Sequence, residues 1–467
     1  MKSRRLSIIY ASFDFLASSI SWTLFYLLRN NLDLADLSTR FLAREYITGL
    51  IIIPVCWVFL FMLTGFYVVS LKRSRLAEFV YSFAVTIPVV FIQFFVLLFQ
   101  GFITENSLYL NFLEALLISQ FILTYIPRAI ITSSTASKVH KGLIGYNTLI
   151  IGSNGKAFEV FNRIKNEKIR GGNLLIGYVS ITDGVNGVLK DYLPHLGQIE
   201  KLPQIISDNK VEEVIIAIEG IEFDTIEKII GLLDFRDVTI KAIPSLKDIL
   251  TGRVKHTAIF GTPMLEISNF PMPVWQANIK QMMDYFLAVV VLIVLSPLIL
   301  LLAVLIRFSG KGPVIYSQER IGKNGKPFTI FKFRSMQADA EHEKPLLSSL
   351  NDTRITAIGG FMRRHRLDEI PNLINVVKGE MSLVGPRPER QYFIDQIEKK
   401  APHYRRLHKV KPGITSWGQV KYGYASDVDS MIERLEYDLL YLENMSLSID
   451  LKIIIYTIII ILKGKGV

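Results

Sequence analysis

The stretch YFLAVVVLIVLSPLILLLAVLI, Tyr285–Ile306, decides how this chain is laid out. It runs for 22 residues without a charge. As a straight helix rising 1.5 Å per residue it is about 33 Å long, enough to cross the hydrocarbon core of a bilayer. Two features argue against a crossing. Ser296-Pro297 falls near the centre, where proline removes a helical hydrogen bond and bends the axis. Both flanks are basic, Lys280 before and Arg307 and Lys311 after, so the cytoplasmic preference of Lys and Arg does not ask the ends to lie on opposite faces. A broken helix that enters one leaflet and returns fits the flanks; a kinked span fits the length. Residue pattern alone leaves both open.

Upstream lie four more apolar stretches, at about Leu6–Leu28, Ile47–Val69, Ala77–Gln100 and Leu108–Ile131, each near the roughly 20 residues a spanning helix needs. The first is too long for a signal-peptide core and three more follow it, so cleavage is not expected. Lys2, Arg4 and Arg5 precede the first stretch, and Lys72, Arg73 and Arg75 separate the second from the third. Both sites are therefore expected in the cytoplasm, and the loop at 31–46, where Asp33, Asp36 and Glu45 offset Arg40 and Arg44, outside. Four crossings make residues 1–132 a transmembrane bundle that returns the chain to the cytoplasm. Asp14, inside the first span, is expected near the interface or paired within the bundle rather than as a functional intramembrane acid.

Composition agrees. The 467 residues are 50% hydrophobic and 20% charged, too apolar for a disordered chain. A single cysteine, Cys56, excludes a disulfide framework and a Cys-rich zinc site. The net charge of +11 divides as +5 over residues 1–142 (12 basic, 7 acidic), −2 over 143–266 (14 and 16) and +8 over 267–467 (27 and 19). The basic excess follows the apolar runs, which is a membrane pattern, and no aromatic-basic motif suggests nucleic acid.

Residues 133–142 read as a polar linker. Beyond them, β-rich runs at Thr148–Ile151, Leu174–Val179, Val214–Ile218 and Val238–Ile243 alternate with helical patterns at Ala157–Asn166 and Thr225–Leu233, predicting a Rossmann-like α/β domain over 143–266. Its first turn, Gly152-Ser-Asn-Gly155, is a poor dinucleotide fingerprint. Asn154 stands where the second glycine should let the backbone approach a pyrophosphate, Ala157 stands at the third, and Asp183 lies in a turn. A scaffold or regulatory domain without cofactor is the expectation.

Chemistry concentrates between Arg363 and Glu389 (RRHRLDEIPNLINVVKGEMSLVGPRPE). Asp368 and Glu369 are adjacent carboxylates behind a basic run, and Pro371 is a good first residue for a helix at Asn372–Val377. The pair then sits just ahead of, or in, a helix N-terminus, a setting that favours phosphate. Neighbouring residues point different ways, so one carboxylate can attack while the other holds a metal or orients a phosphate. A solvated charged patch is the bland alternative. Against it stands the company: Gly385-Pro386-Arg387-Pro388, a rigid turn presenting one guanidinium, and Arg320, Lys332 and Arg334 on short β-like runs. Cations plus a carboxylate nucleophile are the ingredients of phosphoryl transfer. Near the C-terminus, Leu447–Leu462 is broken by Asp450 and Lys452 and reads as an interfacial or buried helix.

These motifs, in order Tyr316–Gly322 (YSQERIG), Phe331–Met336 (FKFRSM), Leu367–Pro371 (LDEIP), Lys378–Pro388 (KGEMSLVGPRP) and Lys411–Thr415 (KPGIT), resemble the bacterial sugar transferases. These are polyprenyl-phosphate hexose-1-phosphate transferases of the monotopic phosphoglycosyl transferase superfamily. The catalytic resemblance covers 277–467, and the bundle and nucleotide fold ahead of it are similar to the long members. It implies a membrane α/β protein of three parts, the third an α+β catalytic domain on a re-entrant helix at 281–308 broken at Ser296 and Pro297. It implies transfer of a sugar 1-phosphate from a UDP-sugar to undecaprenyl phosphate at the cytoplasmic face of the bacterial inner membrane, beginning exopolysaccharide, capsule or O-antigen assembly. Position by position, Asp368 is the implied nucleophile, forming an aspartyl phosphosugar and releasing UMP. Glu369 is the implied Mg²⁺ ligand, and Arg363, Lys332 and Arg387 hold phosphates; Arg320 and Arg334 join them as basic candidates. Arg364-His365 is more basic than the family pattern, and His365 is expected beside the site. The sugar stays open among glucose, galactose and N-acetylhexosamines, with neutral hexose preferred from the long-form resemblance; four spans and the middle domain leave ample surface for a homodimer.

Three rival readings can be set against it, and the second is excluded by its missing lysine. A membrane-bound UDP-sugar glycosyltransferase would use Asp427-Val-Asp429 for metal, although that pair can equally cap the helix at Ser430–Leu440. A tethered sugar-nucleotide dehydratase needs a Tyr-x-x-x-Lys pair, and Tyr146, Tyr178 and Tyr192 are followed at that spacing by Ile150, Thr182 and Leu196. A non-enzymatic polysaccharide-export scaffold needs only the basic surface.

Overall fold

Four apolar helices open the chain: α1 (Lys2–Arg29), α2 (Arg44–Leu63), α3 (Arg75–Phe99) and α4 (Tyr109–His140). The computed structural model describes residues 2–29, 43–68, 71, 73–101, 109–167, 171–181, 188–218, 223–233, 238–243, 264–267, 272–310, 312–337, 353–423, 425 and 427–464. Trp22, Phe25, Trp57, Phe61, Phe66, Phe94 and Leu116 meet inside the bundle. Ile8, Ile51, Ile92 and Ile130 point outward, exposed as a lipid-facing surface requires. Asp14 pairs within the bundle. Both its carboxylate oxygens accept from Arg128, whose Nη1 also donates to Glu78 at 3.2 Å, and Arg73 closes the set on Glu78 at 3.1 Å. Arg128 lies on α4, with two helices between it and Asp14 on α1, and no local pattern announced it. The expected linker at 133–142 is corrected in one respect: α4 continues to His140. Polar residues do not stop a helix that has left the hydrocarbon, and Val139 is still buried on it.

The middle part contains β1 (Tyr146–Ile151), α5 (Gly155–Lys165), β2 (Asn173–Ser180), β3 (His195–Gln198), α6 (Leu202–Asp208), β4 (Glu213–Ile216), α7 (Phe223–Leu233), β5 (Thr239–Ala242) and β6 (Leu265–Ile267). Its sheet runs β3-β2-β1-β4-β5-β6, parallel except for β6. Both faces are covered: Leu149 and Ile151 pack with Val214 and Ile216 on one side, Ile150 with Tyr178 and Ile215 on the other. That double burial is why the strands read as unbroken apolar runs. Two strands escaped the sequence reading. His195–Gln198 and Leu265–Ile267 are short edges without such a run. Asp183 lies outside the described residues.

The last part follows from Tyr285–Ile306. Helix α8 (Val274–Val294) ends at Leu295 and α9 (Ser296–Phe308) begins at once, with Pro297 in its first turn. Ser296 Oγ donates to the Ile293 carbonyl at 2.7 Å, using an acceptor at the break. After it come β7 (Ile315–Ile321), β8 (Pro327–Phe333), α10 (Ala357–Arg364), a 3₁₀ segment Leu367–Asn372, α11 (Leu373–Lys378), β9 (Ser382–Val384), α12 (Gln391–Lys400), a 3₁₀ segment Pro402–Lys409, β10 (Gly413–Thr415), α13 (Trp417–Lys421), α14 (Val428–Glu443) and α15 (Leu447–Leu462). Ala288 of α8 and Leu302 and Ile306 of α9 enter one core with Ile330, Phe333, Met362 and Val376. Each end of the broken helix is tied to that body. Lys280 Nζ donates to Val384 O (2.9 Å) and Asp450 (2.6 Å). At the far end Arg334 Nη2 donates to the Ile306 and Gly310 carbonyls, each at 2.9 Å. Among the described residues five helices, α1 to α4 and α8, are long and apolar enough to cross a bilayer, and they place the chain in a membrane.

Candidate active site

Three local devices bring the Asp368–Glu369 pair to its place. First, Thr356 caps α10 by accepting from Gly359 N at 3.0 Å, and Gly359 lets that helix lie on the Ser335 carbonyl, which an added Cβ would meet at 2.0 Å. Second, Arg363 at the end of α10 donates through Nε to Ser335 Oγ at 3.0 Å, fixing its stem. Third, Arg366 adopts a left-handed backbone, φ +50°, a conformation disfavoured for a side chain of its size. It turns the chain into the 3₁₀ segment, where Asp368 and Glu369 are both buried. The dyad sits inside this segment, ahead of α11.

Glu369 is clamped. Its Oε1 accepts from Lys332 Nζ at 2.6 Å and from Arg387 Nη1 at 3.2 Å, and Arg366 Nη1 stands 3.7 Å from Oε2. Burial alone would raise its pKa, but Lys332, Arg387 and Arg366 outweigh burial and hold it well below the usual carboxylate range. Asp368 goes the other way. Burial and the neighbouring Glu369 charge raise its pKa against the pull of Lys332, Arg363 and Arg387. The two carboxylates are thus driven apart, as acid/base and nucleophile pairs commonly are. Burial likewise lowers the Lys332 pKa against the pull of Glu369. Two carboxylates face four cations here, Lys332, Arg363, Arg366 and Arg387, so the site keeps an excess of positive charge suited to phosphate.

The turn that carries Arg387 is held from behind. Gly385 crosses Lys411 and Gly413 closely enough that a Cβ would lie 2.5 Å from the Lys411 carbonyl. Gly413 N donates to Pro386 O at 2.9 Å. Arg320 Nη1 donates to Pro388 O at 3.1 Å and to Glu389 Oε2 at 3.0 Å, and Arg434 Nη2 to Glu389 Oε1 at 2.8 Å. Arg320 therefore braces the turn, and Arg334 caps the end of α9; neither is among the four cations around the dyad. Ser296 and Pro297 lie in the helix break. Arg366, Ser335, Glu389 and Arg434 were missed as site residues. Arg366 and Glu389 stand inside the motif stretch and could have been weighed, but Arg434 comes from distant α14 and carries no local signal.

His365 Nδ1 lies 3.1 Å from the Ile461 carbonyl, fastening the end of α15 beside the site. Asp427 caps α14 by accepting from Ser430 N at 2.8 Å, and Asp429 pairs with Lys400 at 2.6 Å, so both carboxylates of the D-x-D are already engaged. In the middle part, Asn154 caps α5 by accepting from Ala157 N at 3.2 Å.

Glu369 Oε2 is buried without a hydrogen bond, next to a second carboxylate. One or two carboxylates completed by substrate phosphates and water are how magnesium is usually held, so this donor set fits Mg²⁺. No group of three or more His, Cys, Asp or Glu able to hold a metal occurs among the described residues, so the ion would need the substrate as ligand.

The sequence profile of the bacterial sugar transferases matches residues 275–464, and a profile described as a CoA-binding domain matches 62–244. The chain is similar to a UDP-N-acetylgalactosamine-undecaprenyl-phosphate N-acetylgalactosaminephosphotransferase of Aeromonas hydrophila, 39% identical over 51% of this chain and 56% of that protein. It is similar to a UDP-glucose:undecaprenyl-phosphate glucose-1-phosphate transferase of Xanthomonas campestris pv. campestris, 37% identical over 58% of this chain and 57% of that one. In both cases the match spans little more than half of the relative's length. A sugar transferase of Haemophilus influenzae described as uncharacterized is 30% identical over 68% of this chain and 70% of its own length. With that coverage, and with the profile lying on the part that holds the dyad, the chain belongs to the bacterial sugar transferase family.

Proposed function

We propose that this protein transfers a sugar 1-phosphate from a UDP-sugar to undecaprenyl phosphate through a covalent intermediate on Asp368. The observation that carries this is the buried Asp368–Glu369 pair among four cations. Asp368 attacks the β-phosphorus of the UDP-sugar; the bond from that phosphorus to the bridging oxygen breaks, and UMP leaves with the oxygen. An oxygen of undecaprenyl phosphate then attacks the same phosphorus, the acyl phosphate bond breaks, and Asp368 returns as a carboxylate. No net proton change at Asp368 is required. Lys332, Arg363 and Arg387 neutralise the phosphoryl oxygens as charge shifts, and Glu369 keeps Lys332 and Arg387 aimed at the pocket. Glu369 would hold Mg²⁺, which when bound would supply Lewis-acid stabilisation of the diphosphate.

In this reading α8 and α9 form a re-entrant helix and the last part lies on the cytoplasmic face of the bacterial inner membrane. Both ends of the broken helix being tied to one body supports it, as do the basic flanks. The named activities of the Aeromonas and Xanthomonas relatives support the reaction class. UMP release from a panel of UDP-sugars, with the protein in vesicles containing undecaprenyl phosphate, tests it. Release is expected with at least one sugar and is lost in Asp368→Asn while UDP-sugar binding persists. No release with any sugar, or full release by Asp368→Asn, would refute it.

A further inference from the structure

The turn after α2 is held on three sides. Towards the bundle, Phe66 is fully buried, with its ring 4.9 Å from that of Phe61 and 5.3 Å from that of Tyr81, and the Arg128 guanidinium 3.6 Å from its centre. The Ser7 hydroxyl donates to Tyr67 O at 2.7 Å and the Tyr81 hydroxyl to Thr64 O at 2.9 Å. Towards the sheet, Leu71 N donates to the Tyr146 hydroxyl at the head of β1 at 3.0 Å. Towards the last part, Asn278 on α8 donates through Nδ2 to Met62 O at 3.0 Å and Leu63 O at 3.3 Å, carbonyls of the final turn of α2. Gly65, at φ +74°, forms the seat beneath Val274, whose Cγ1 would lie 2.9 Å from an added Cβ.

A span end is a height marker, because it sits where hydrocarbon gives way to headgroups. Asn278 ties the first turns of α8 to such an end, and Lys280, two residues on, ties the same turns to Val384 and Asp450 in the catalytic body. The bundle core on Phe66 makes the marker rigid. We propose that Asn278 is a positioning residue, and that its joint with α2 sets the height of the Asp368 pocket above the bilayer. This rests on the two-step transfer proposed above, and it separates the steps. A UDP-sugar reaches the pocket from water at any height. Undecaprenyl phosphate is confined to the membrane plane, and misplacement of a reacting pair by an ångström is costly.

The test uses the full chain in bilayer vesicles, with Asn278→Asp, which sets a carboxylate against two carbonyls, and the milder Asn278→Ser. Two readouts are taken: kinetics with each substrate, and the distance distribution between spin labels at Leu143→Cys and Leu440→Cys in a Cys56→Ser background. The joint predicts a broadened distribution and a KM for undecaprenyl phosphate raised about tenfold, with UMP burst rate and UDP-sugar KM unchanged and the serine variant between. An unchanged distribution, an unchanged KM for the lipid substrate, or equal loss of both half-reactions overturns it. Should the unaltered protein release no UMP from any UDP-sugar, the proposed function falls and the label distances alone decide the joint. Broadening in Asn278→Asp then upholds it, and an unchanged distribution overturns it.

Discussion

At the residue scale the site is two adjacent carboxylates given opposite character by their surroundings. Asp368 is raised by burial and by Glu369, so it takes up a proton at a higher pH than an ordinary aspartate. Attack requires the carboxylate; the rate of the UMP burst therefore falls as pH drops through that raised value. Glu369→Gln removes the neighbouring charge and should move this acid limb to lower pH in whatever rate remains; a limb that stays put or moves up contradicts the assignment. The same shift has a stability consequence. A buried aspartate with a raised pKa holds its proton more tightly folded than unfolded, so it destabilises the fold once pH rises above the unfolded value. Asp368→Asn should raise the thermal midpoint at neutral pH while reducing turnover by at least about 10⁴-fold, the scale of losing a nucleophile. Glu389 behaves oppositely. Its removal leaves the buried Arg434 and the half-buried Arg320 without their carboxylate. Glu389→Ala should cost about 3–5 kcal/mol of stability, read by thermal unfolding in detergent.

At the element scale, what was legible followed burial. The four long helices and the inner strands carry unbroken apolar runs because lipid or two helix layers cover them, and those runs locate the elements, although α2 stops at Leu63, short of Val69, and α4 runs past Ile131 to His140. The dyad, Lys332, Arg363 and Arg387 were legible because they stand in short motifs with unusual residue types. The edge strands at His195–Gln198 and Leu265–Ile267 were not, having no apolar run. Nor were the partners contributed from far along the chain, Arg128 for Asp14 and Arg434 for Glu389, since local pattern holds no information about packing between distant helices. Arg320 and Arg334 were recognisable as cations, but only tertiary structure shows that they hold backbone carbonyls of the turn and of α9. The break at Leu295–Pro297 is the element on which topology turns. Replacing Ser296 and Pro297 together by leucine restores helix-forming residues at the break. It should convert part of the population to a straight crossing, raising labelling of Leu440→Cys by a membrane-impermeant maleimide from the far side of the membrane. No rise in labelling would mean that the body beneath, rather than the proline, holds the bend.

At the scale of the whole molecule, one bundle, one sheet domain and one catalytic body meet around the end of α2. The proposed re-entrant helix puts Leu143, just beyond α4, and Leu440, on α14, on the same side of the membrane; both are exposed. Single cysteines there should be protected together from impermeant reagent in intact cells and become labelled together after permeabilisation. Labelling of one without the other breaks the topology. The central claim is chemical, and mass spectrometry reaches it directly. Protein mixed with the active UDP-sugar in the absence of lipid substrate, then acid-quenched, should gain the mass of one phosphosugar, with the added group mapping to the peptide that contains Asp368 and absent from Asp368→Asn. An adduct on another side chain, or none while UMP is being released, contradicts the account.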